Sequence, residues 1–305
     1  MSLLGPAEIR GLADLLGVQP TKKLGQNFVI DANTVRRIVK AAGIVSGQSV
    51  VEVGPGLGSL TLGLLETGAS VVAVEIDNRL ATQLSVTVEL FQPGAPLTVI
   101  TQDAMTITEL PGHPTSLVAN LPYNISVPVV LSFLEAFPTL RRALVMVQLE
   151  VAERLAAPPG SRTYGIPSLQ TGLVMVQAEV GQRIAADPGS KIYGSPSIKA
   201  AWYGKWRTAG QISRQVFWPV PNVDSILVRF DRGELPGTEA ERVATFALVD
   251  AAFQQRRKML RQSLSGVLGD SAAASARLDT AGVAPTARGE ELTVADFLAI
   301  ARAGA

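Results

Sequence analysis

The chain has no cysteine among its 305 residues, one histidine and only 5% aromatic residues. Without cysteine there is no disulfide framework and no thiolate metal site. The lone histidine, His113, sits in the loop Pro111-Gly112-His113-Pro114 and is assigned no role as base or ligand, so no metal is expected. No apolar run approaches the roughly 20 residues needed to span a bilayer. The first residues, Met1-Ser2-Leu3-Leu4-Gly5-Pro6, lack the basic start and apolar core of an export signal. No membrane association is expected, and the cytoplasm is the default location. Charge of one sign is scarce as well, with 27 Lys and Arg against 26 Asp and Glu and a net charge of +1. What is present is length, enough for a full α/β domain and a smaller second one.

Gln48-Ser49-Val50-Val51-Glu52-Val53 is short, apolar and β-branched, as a buried parallel strand should be. It runs into Gly54-Pro55-Gly56-Leu57-Gly58-Ser59 and then a helix-like stretch over Leu60–Glu66. Glycines at a strand-to-helix turn let the backbone approach a ligand closely. A dinucleotide site wants G-x-G-x-x-G. Here the glycines are Gly54, Gly56 and Gly58, Ser59 stands where the third should be, and Glu52 before the loop would repel a pyrophosphate. A ligand carrying both an ammonium and a carboxylate, such as the methionine end of S-adenosylmethionine, suits the loop better.

Three more apolar runs end on polar residues. Ser70–Glu75 ends on an acid that can accept both hydroxyls of a ribose, and Ile76 offers an apolar wall for an adenine. Leu97–Ile100 leads to Gln102-Asp103-Ala104, which places Asp103 to accept an adenine amino group. Ser116–Ala119 leads into Asn120-Leu121-Pro122-Tyr123. Ligands of an open parallel sheet bind at the carboxyl ends of its strands, and these four ends carry a glycine loop, Glu75, Asp103 and Asn120. The last of them holds the parts needed to methylate an exocyclic amine. Such an amine is a poor nucleophile because its lone pair is delocalised, and carbonyl oxygens accepting its N–H bonds can aim that lone pair at a methyl donor. Pro122 stiffens the loop, and Tyr123 offers a face for a flipped-out base, worth about 1–3 kcal/mol.

The motifs Gly25-Gln26-Asn27-Phe28, Glu52–Gly58, Asn120–Tyr123 and Phe217-Trp218-Pro219-Val220-Pro221, in this order, resemble those of ribosomal RNA adenine N6-dimethyltransferases. The likeness runs from about Thr21 to the C-terminal helices and is greatest to the bacterial KsgA-type enzymes acting on small-subunit RNA. It implies a Rossmann-like class I methyltransferase sheet, S-adenosylmethionine as donor, and two adjacent adenosines near the 3′ end of 16S ribosomal RNA as substrate. A monomer acting on the 30S particle is the expected form. The donor site would comprise Gln26, Asn27, Val29, Gly54, Gly56, Glu75, Ile76, Asp103, Ala104 and Asn120. The catalytic set would be Asn120, Leu121, Pro122, Tyr123 and Phe217, with Asn120 holding the target amine and Tyr123 and Phe217 sandwiching the base. Two other readings stay open: a large-subunit RNA methyltransferase, or a ribosome-assembly factor with impaired catalysis.

Basic residues cluster despite the even balance. Arg256, Arg257, Lys258 and Arg261 fall in Phe253–Leu264, which has helical spacing, and suit RNA phosphates. Lys199, Lys205, Arg207 and Arg214 interleave with Trp202, Tyr203 and Trp206, where core aromatics are the simpler account.

Ile9, Leu12, Leu15 and Leu16 predict an N-terminal amphipathic helix. The methyltransferase domain is expected over residues 1–230, closing with strand Ser225–Phe230, and a helical RNA-binding domain over 238–305. Thr238 with Glu241 forms a capping box, opening a helix with apolar face Val243, Phe246, Val249 and Phe253. Another helix is expected near Thr293–Ala303.

Leu144–Gln170 and Leu173–Lys199 form a tandem repeat, offset by 29 positions and identical at 17 of 27. Each unit reads as an apolar strand, a short helix, a Pro-Gly-Ser loop and the start of another strand. Because the copies satisfy the same apolar face, one is expected in the sheet, with the surplus extruded or added at an edge.

Overall fold

A computed structural model describes residues 2–18, 27–121, 123–146 and 169–304, with the side chains of residues 123–127, 131 and 146 outside that description. Helix α1 (Pro6–Leu16) buries Ile9 and Ala13, with Leu12 and Leu16 beside them. Leu15 is exposed, so the apolar stripe is narrower than its four leucine and isoleucine positions suggest. Strand β1 (Phe28–Val29) precedes α2 (Ala32–Ala42), whose first turn is capped by Asp31 accepting from the Thr34 N–H at 2.6 Å.

The sheet follows the apolar runs. β2 (Ser49–Val53), β3 (Ser70–Glu75), β4 (Leu97–Thr101) and β5 (Ser116–Ala119) are parallel, in the order β4-β3-β2-β5. Helices α3 (Ser59–Glu66), α4 (Asn78–Phe91) and α5 (Tyr123–Ala136) link strands and cover the faces. The chain winds outward from β2 to β4 and then returns to place β5 on the other side of β2. That reversal opens a crevice beyond the carboxyl ends of β2 and β5.

Beyond β5 the order continues β6 (Arg142–Met146), β7 (Thr171–Gln177), β10 (Ser225–Arg232) and β8 (Gly204–Ile212), the last two pairing antiparallel. A separate ribbon pairs β1 with β9 (Phe217–Trp218).

Here the structure corrects the expectation for the repeat. Both copies lie inside the sheet as parallel neighbours, Leu144 beside Leu173, Val145 beside Val174 and Met146 beside Met175. Neither described strand is extruded or at an edge. A central parallel strand buries both faces and needs only a continuous apolar run, which each copy supplies. Leu144 and Leu173 face one core, Val145 and Val174 the other. The rest of the first copy, residues 147–168, lies outside the described residues.

After β7 the second copy forms α6 (Ala178–Ile184), a loop through Gly189, and α7 (Ser195–Ala201) where a further strand was expected. Gly181 in α6 sits so close to β10 that a Cβ there would overlap Ile226 and lie 2.7 Å from Val228 Cγ2. The first copy carries Ala152 at the equivalent position, so the copies are not interchangeable against β10.

The last strand ends at Arg232, and Thr238 caps α8 (Glu239–Gln254) reciprocally with Glu241. The buried face of α8 is Thr245, Leu248, Val249 and Ala252, while Val243 is exposed. The stripe is rotated from the predicted one because Phe246 meets the edges of Trp202 and Tyr203 beside the sheet. α9 (Leu260–Ser263), α10 (Ser265–Leu268), α11 (Ser271–Thr280) and α12 (Val294–Arg302) complete the helical region. Its core takes in Tyr193 and Ile198 of the second copy. Tyr193 Oη donates to the Leu292 carbonyl and Gly189 N to the Glu290 carbonyl, each at 2.8 Å, so the second copy joins the sheet to these helices.

Candidate active site

The carboxyl ends of β2, β3 and β5 and the turn after β4 surround a cavity of about 230 Å³. After β2, Gly54, Gly56 and Gly58 all take left-handed backbone, with φ of 71°, 56° and 90°. A Cβ would meet Leu121 at Gly54 and Phe28 at Gly56, at 2.6 and 2.9 Å, so the loop is glycine for both conformation and space. Gly54 N donates to the Val74 carbonyl at 2.9 Å, which ties the loop to the tip of β3.

Glu75 ends β3 with one carboxylate oxygen accepting from Gly56 N at 3.2 Å and the other from Asp77 N at 3.1 Å. Burial raises its pKa above the ordinary carboxylate value, and the backbone donors pull the other way. Glu52, which the sequence places near the loop, points elsewhere. It is 2% exposed and accepts from Thr61 Oγ1 at 2.6 Å, inside the contact between β2 and α3. Burial lifts its pKa to about 7, the Thr61 hydrogen bond opposes the rise, and the charge on Glu75 adds to it.

After β4, Asp103 caps a short turn of helix by accepting from Met105 N at 2.9 Å. After β5, Asn120 Nδ2 donates to the Asn27 carbonyl at 3.2 Å, joining the strand end to the segment that enters β1. That bond engages the amide nitrogen and leaves Oδ1 as the acceptor.

The cavity brings together Asn27, Gly54, Gly56, Glu75, Ile76, Asp103, Ala104, Asn120 and Leu121 of the expected set. Ile76 is 69% exposed at its rim. Val29 is not on the wall: it pairs with Phe217 in the β1–β9 ribbon and is buried in the core. Phe217 is likewise 2% exposed, so it is no open face for a base in this conformation. Its strand neighbour Trp218 instead stacks on Phe28 at 6.3 Å, and Phe28 lines the cavity. Gln26 and Pro122 lie outside the described residues; Tyr123 opens α5, and its side chain is outside them too.

Besides Val53, Pro55 and Val74 of the strand ends and loop, the wall takes in Phe28, Val18, Leu80, Gln102 and Val129, which were not singled out as site residues. Phe28 was visible in the Gly25–Phe28 motif. The other four are ordinary helix and loop positions with no local mark.

The Arg256–Arg261 cluster is not one helical face, because α8 ends at Gln254 and the chain turns before α9. Arg256 pairs with Glu290 at 2.8 Å and donates to the Lys191 carbonyl, which binds the helices to the second repeat copy. Arg257 and Lys258 are exposed, and Arg261 is half-buried.

The fold has close structural parallels. The 23S rRNA methyltransferase ErmE matches with a TM-score of 0.58 at 24% identity, covering 90% of this chain and 98% of its own. A dimethyladenosine transferase from Plasmodium falciparum matches at 0.57 and 22% identity, covering 88% and 94%. At such identities the likeness is one of fold: a Rossmann-like α/β sheet flanked by helices, followed by a helical region.

Sequence is more specific. The family model "Ribosomal RNA adenine dimethylase" matches residues 18–171 and 165–304, the two stretches meeting inside the doubled segment. The ribosomal RNA small subunit methyltransferase A of Leifsonia xyli subsp. xyli is 63% identical over 304 residues, covering 99% of this chain and 98% of its own. That of Arthrobacter sp. (strain FB24) is 53% identical, covering 99% and 93%. The chain belongs to the ribosomal RNA adenine dimethylase family.

Proposed function

We propose that the chain methylates N6 of two adjacent adenosines near the 3′ end of 16S ribosomal RNA, within the 30S particle, with S-adenosylmethionine as donor. The observation that carries this reading is the convergence of Asn120, the Gly54–Gly56 loop and Glu75 on one cavity. The donor fits the chemistry of these groups. The glycine loop offers backbone where a Cβ would not fit, Glu75 offers a carboxylate to a ribose, and Asp103 an acceptor to an adenine amine. Bound there, S-adenosylmethionine supplies an electrophilic methyl group.

The chain's own residues position the acceptor. Asn120 Oδ1, set by the hydrogen bond of Nδ2 to Asn27, accepts an N–H of the adenine amine. A carbonyl oxygen of the Leu121–Pro122 segment accepts the other, and the lone pair is then directed along the line of displacement. The new N–C bond forms as the S–C bond breaks, and the surplus proton leaves the nitrogen to water. No histidine, lysine or cysteine is among the described residues of the cavity wall, so rate rests on positioning and on acceptors for the developing positive charge. Tyr123 and Phe217 serve as stacking walls for the base, which for Phe217 requires the β9 segment to move from its buried position. Arg257, Lys258 and Arg261 of the helical region, residues 238–305, contact RNA phosphates.

The protein acts as a monomer in the cytoplasm; none of the described helices is long and apolar enough to cross a membrane. Incubation with unmethylated 30S particles and labelled donor, followed by mapping of the modified base, tests the reading. Label at two adjacent adenosines near the 3′ end supports it. Label in large-subunit RNA alone, or donor binding without transfer, rejects it.

A further inference from the structure

The basic stretch between Lys199 and Arg214 has no part in the site above, and the fold sorts it onto two faces. Side chains alternate along β8. Trp206 turns toward Phe230, at 4.6 Å, and donates from Nε1 to the Ala200 carbonyl at 2.9 Å. Lys205 and Arg207 therefore turn to the opposite face. There Arg229 of β10 lies directly across from Arg207, and Asp231 across from Lys205. Asp231 bridges Arg207 at 2.8 Å and Arg229 at 2.9 Å.

The positive face continues inward. Arg142, at the start of β6, shares a small crevice with Arg229 beside the end of α2. Along α2, Arg37 reaches over to donate to the Gln211 carbonyl of β8 at 2.6 Å, and Lys40 is exposed one turn further on. Among the described helices, α6 and α7 pack on the other side of β8 and β10, while on this side α2 shares a core with Leu227 and Ile212 and leaves Lys205 and Arg207, toward the start of β8, exposed.

Two arginines directly opposed across strands repel each other, and such pairs are normally unfavourable. One carboxylate, Asp231, cannot neutralise both and also the surrounding Arg142, Lys205, Arg37 and Lys40. In a chain whose net charge is only +1, this is, among the described residues, a local concentration of cations that outnumber their carboxylate partner. The aromatics of the stretch point away from it, so it has no surface for stacking bases. Its chemistry is that of phosphate binding without base readout.

We propose that this face of β8, β10 and α2 is a second RNA-docking surface that grips the sugar-phosphate backbone of a structured RNA. Lys205 and Arg142 lie at the starts of their strands or hairpin arms, away from the carboxyl-end cavity, by roughly one strand length of 15–20 Å. A single flipped nucleotide does not span that distance, whereas a folded RNA domain does. The choice of RNA as polyanion rests on the substrate reading above, while the surface itself is separate from that site.

The test is the salt dependence of binding of the full chain to small-subunit RNA and to 30S particles. The variant Lys40→Ala/Lys205→Ala/Arg207→Ala should bind both at least tenfold more weakly at low salt. The slope of log K against log [KCl] should fall by about 2–3, since each lost phosphate contact removes slightly less than one unit. Melting temperature and affinity for S-adenosylhomocysteine should stay at parent values. If the triple variant folds poorly, Lys40→Ala/Lys205→Ala, which spares the Asp231 bridge, should still lower the slope by about 1–2. Unchanged affinity and slope overturn the proposal, as does weakening on particles but not on naked RNA, which would assign the face to an acidic protein. A parent chain that binds no RNA at all refutes the substrate reading instead.

Discussion

Leu144 and Leu173, the same position in two copies of one repeated segment, are direct parallel neighbours in the central sheet. The repeat has thus widened the sheet by one strand, inserting β6 between β5 and β7. The described cavity is lined mainly from β2, β3, the turn after β4 and the end of β5, on one side of the insertion in the sheet, with Phe28 of the β1–β9 ribbon added to its wall. The strand ends of the donor side thus lie apart from the inserted strand, while the β1–β9 ribbon ties the cavity wall at Phe28 to chain that follows the duplication.

Removing Leu144–Gly172 should therefore be tolerated. Ala143 would join Leu173, and the remaining strand would meet β5 in the register β6 now uses, Val118 beside leucine. The shortened chain should unfold cooperatively at a melting temperature no lower than the parent's and bind S-adenosylhomocysteine equally well. Calorimetry showing a broad or absent transition would mean the eight-stranded arrangement is required.

Gly181→Ala probes why the copies differ. A methyl group there overlaps Ile226 and Val228, so the variant should lose about 1–3 kcal/mol by overpacking. Chemical denaturation reads the change. A variant as stable as the parent would show that α6 can shift on β10 without cost.

Asn120→Ala removes the acceptor proposed for the adenine amine and its anchor to Asn27. Turnover should fall by about 100- to 1,000-fold, the cost of removing one preorganised polar partner from a reacting centre. Donor affinity, measured by calorimetry, should change much less. Methylation at close to the parent rate would discard the assignment.

Glu75→Ala should weaken S-adenosylhomocysteine binding by about 10- to 100-fold, the worth of charge-assisted hydrogen bonds to a ribose. It also frees the Gly56 and Asp77 N–H groups, so a control by circular dichroism should confirm that the fold is intact. Unaltered affinity would place the ribose elsewhere.

Glu52 makes stability depend on pH. Its folded pKa of about 7 lies above the ordinary value of 4.5, so the folded state holds the proton more tightly. Below about 4.5 both states are protonated and no penalty exists; from there to about 7 stability falls as pH rises, and it levels off above. Glu52→Gln keeps an acceptor for Thr61 without the charge. It should be more stable than the parent at pH 8, by on the order of 3 kcal/mol, with the gap closing toward pH 4.5. A pH-independent difference between the two proteins would show that Glu52 ionises freely in the fold.

Much of this molecule is written locally. The runs Ser70–Glu75 and Ser116–Ala119 are strands with those bounds, because a fully buried parallel strand needs little more than a short β-branched apolar run. Thr238 and Thr293 cap their helices as the spacing to Glu241 and Asp296 dictates. The glycine loop, Glu75, Asp103 and Asn120 could be placed around one site because each follows a strand, and the carboxyl ends of parallel strands meet on one edge.

Tertiary packing decided what depends on which faces meet. Glu52 reads as a loop-side charge until α3 covers it and Thr61 takes its carboxylate. Phe217 reads as a site aromatic until β9 pairs with β1 and turns it into the core. The stripe of α8 rotates because Phe246 has Trp202 and Tyr203 to meet. The repeat itself is plain in the sequence, but an identical apolar strand carries no instruction about its neighbour. Whether two copies compete or pair is settled only by the sheet, where like side chains can lie beside like on both buried faces.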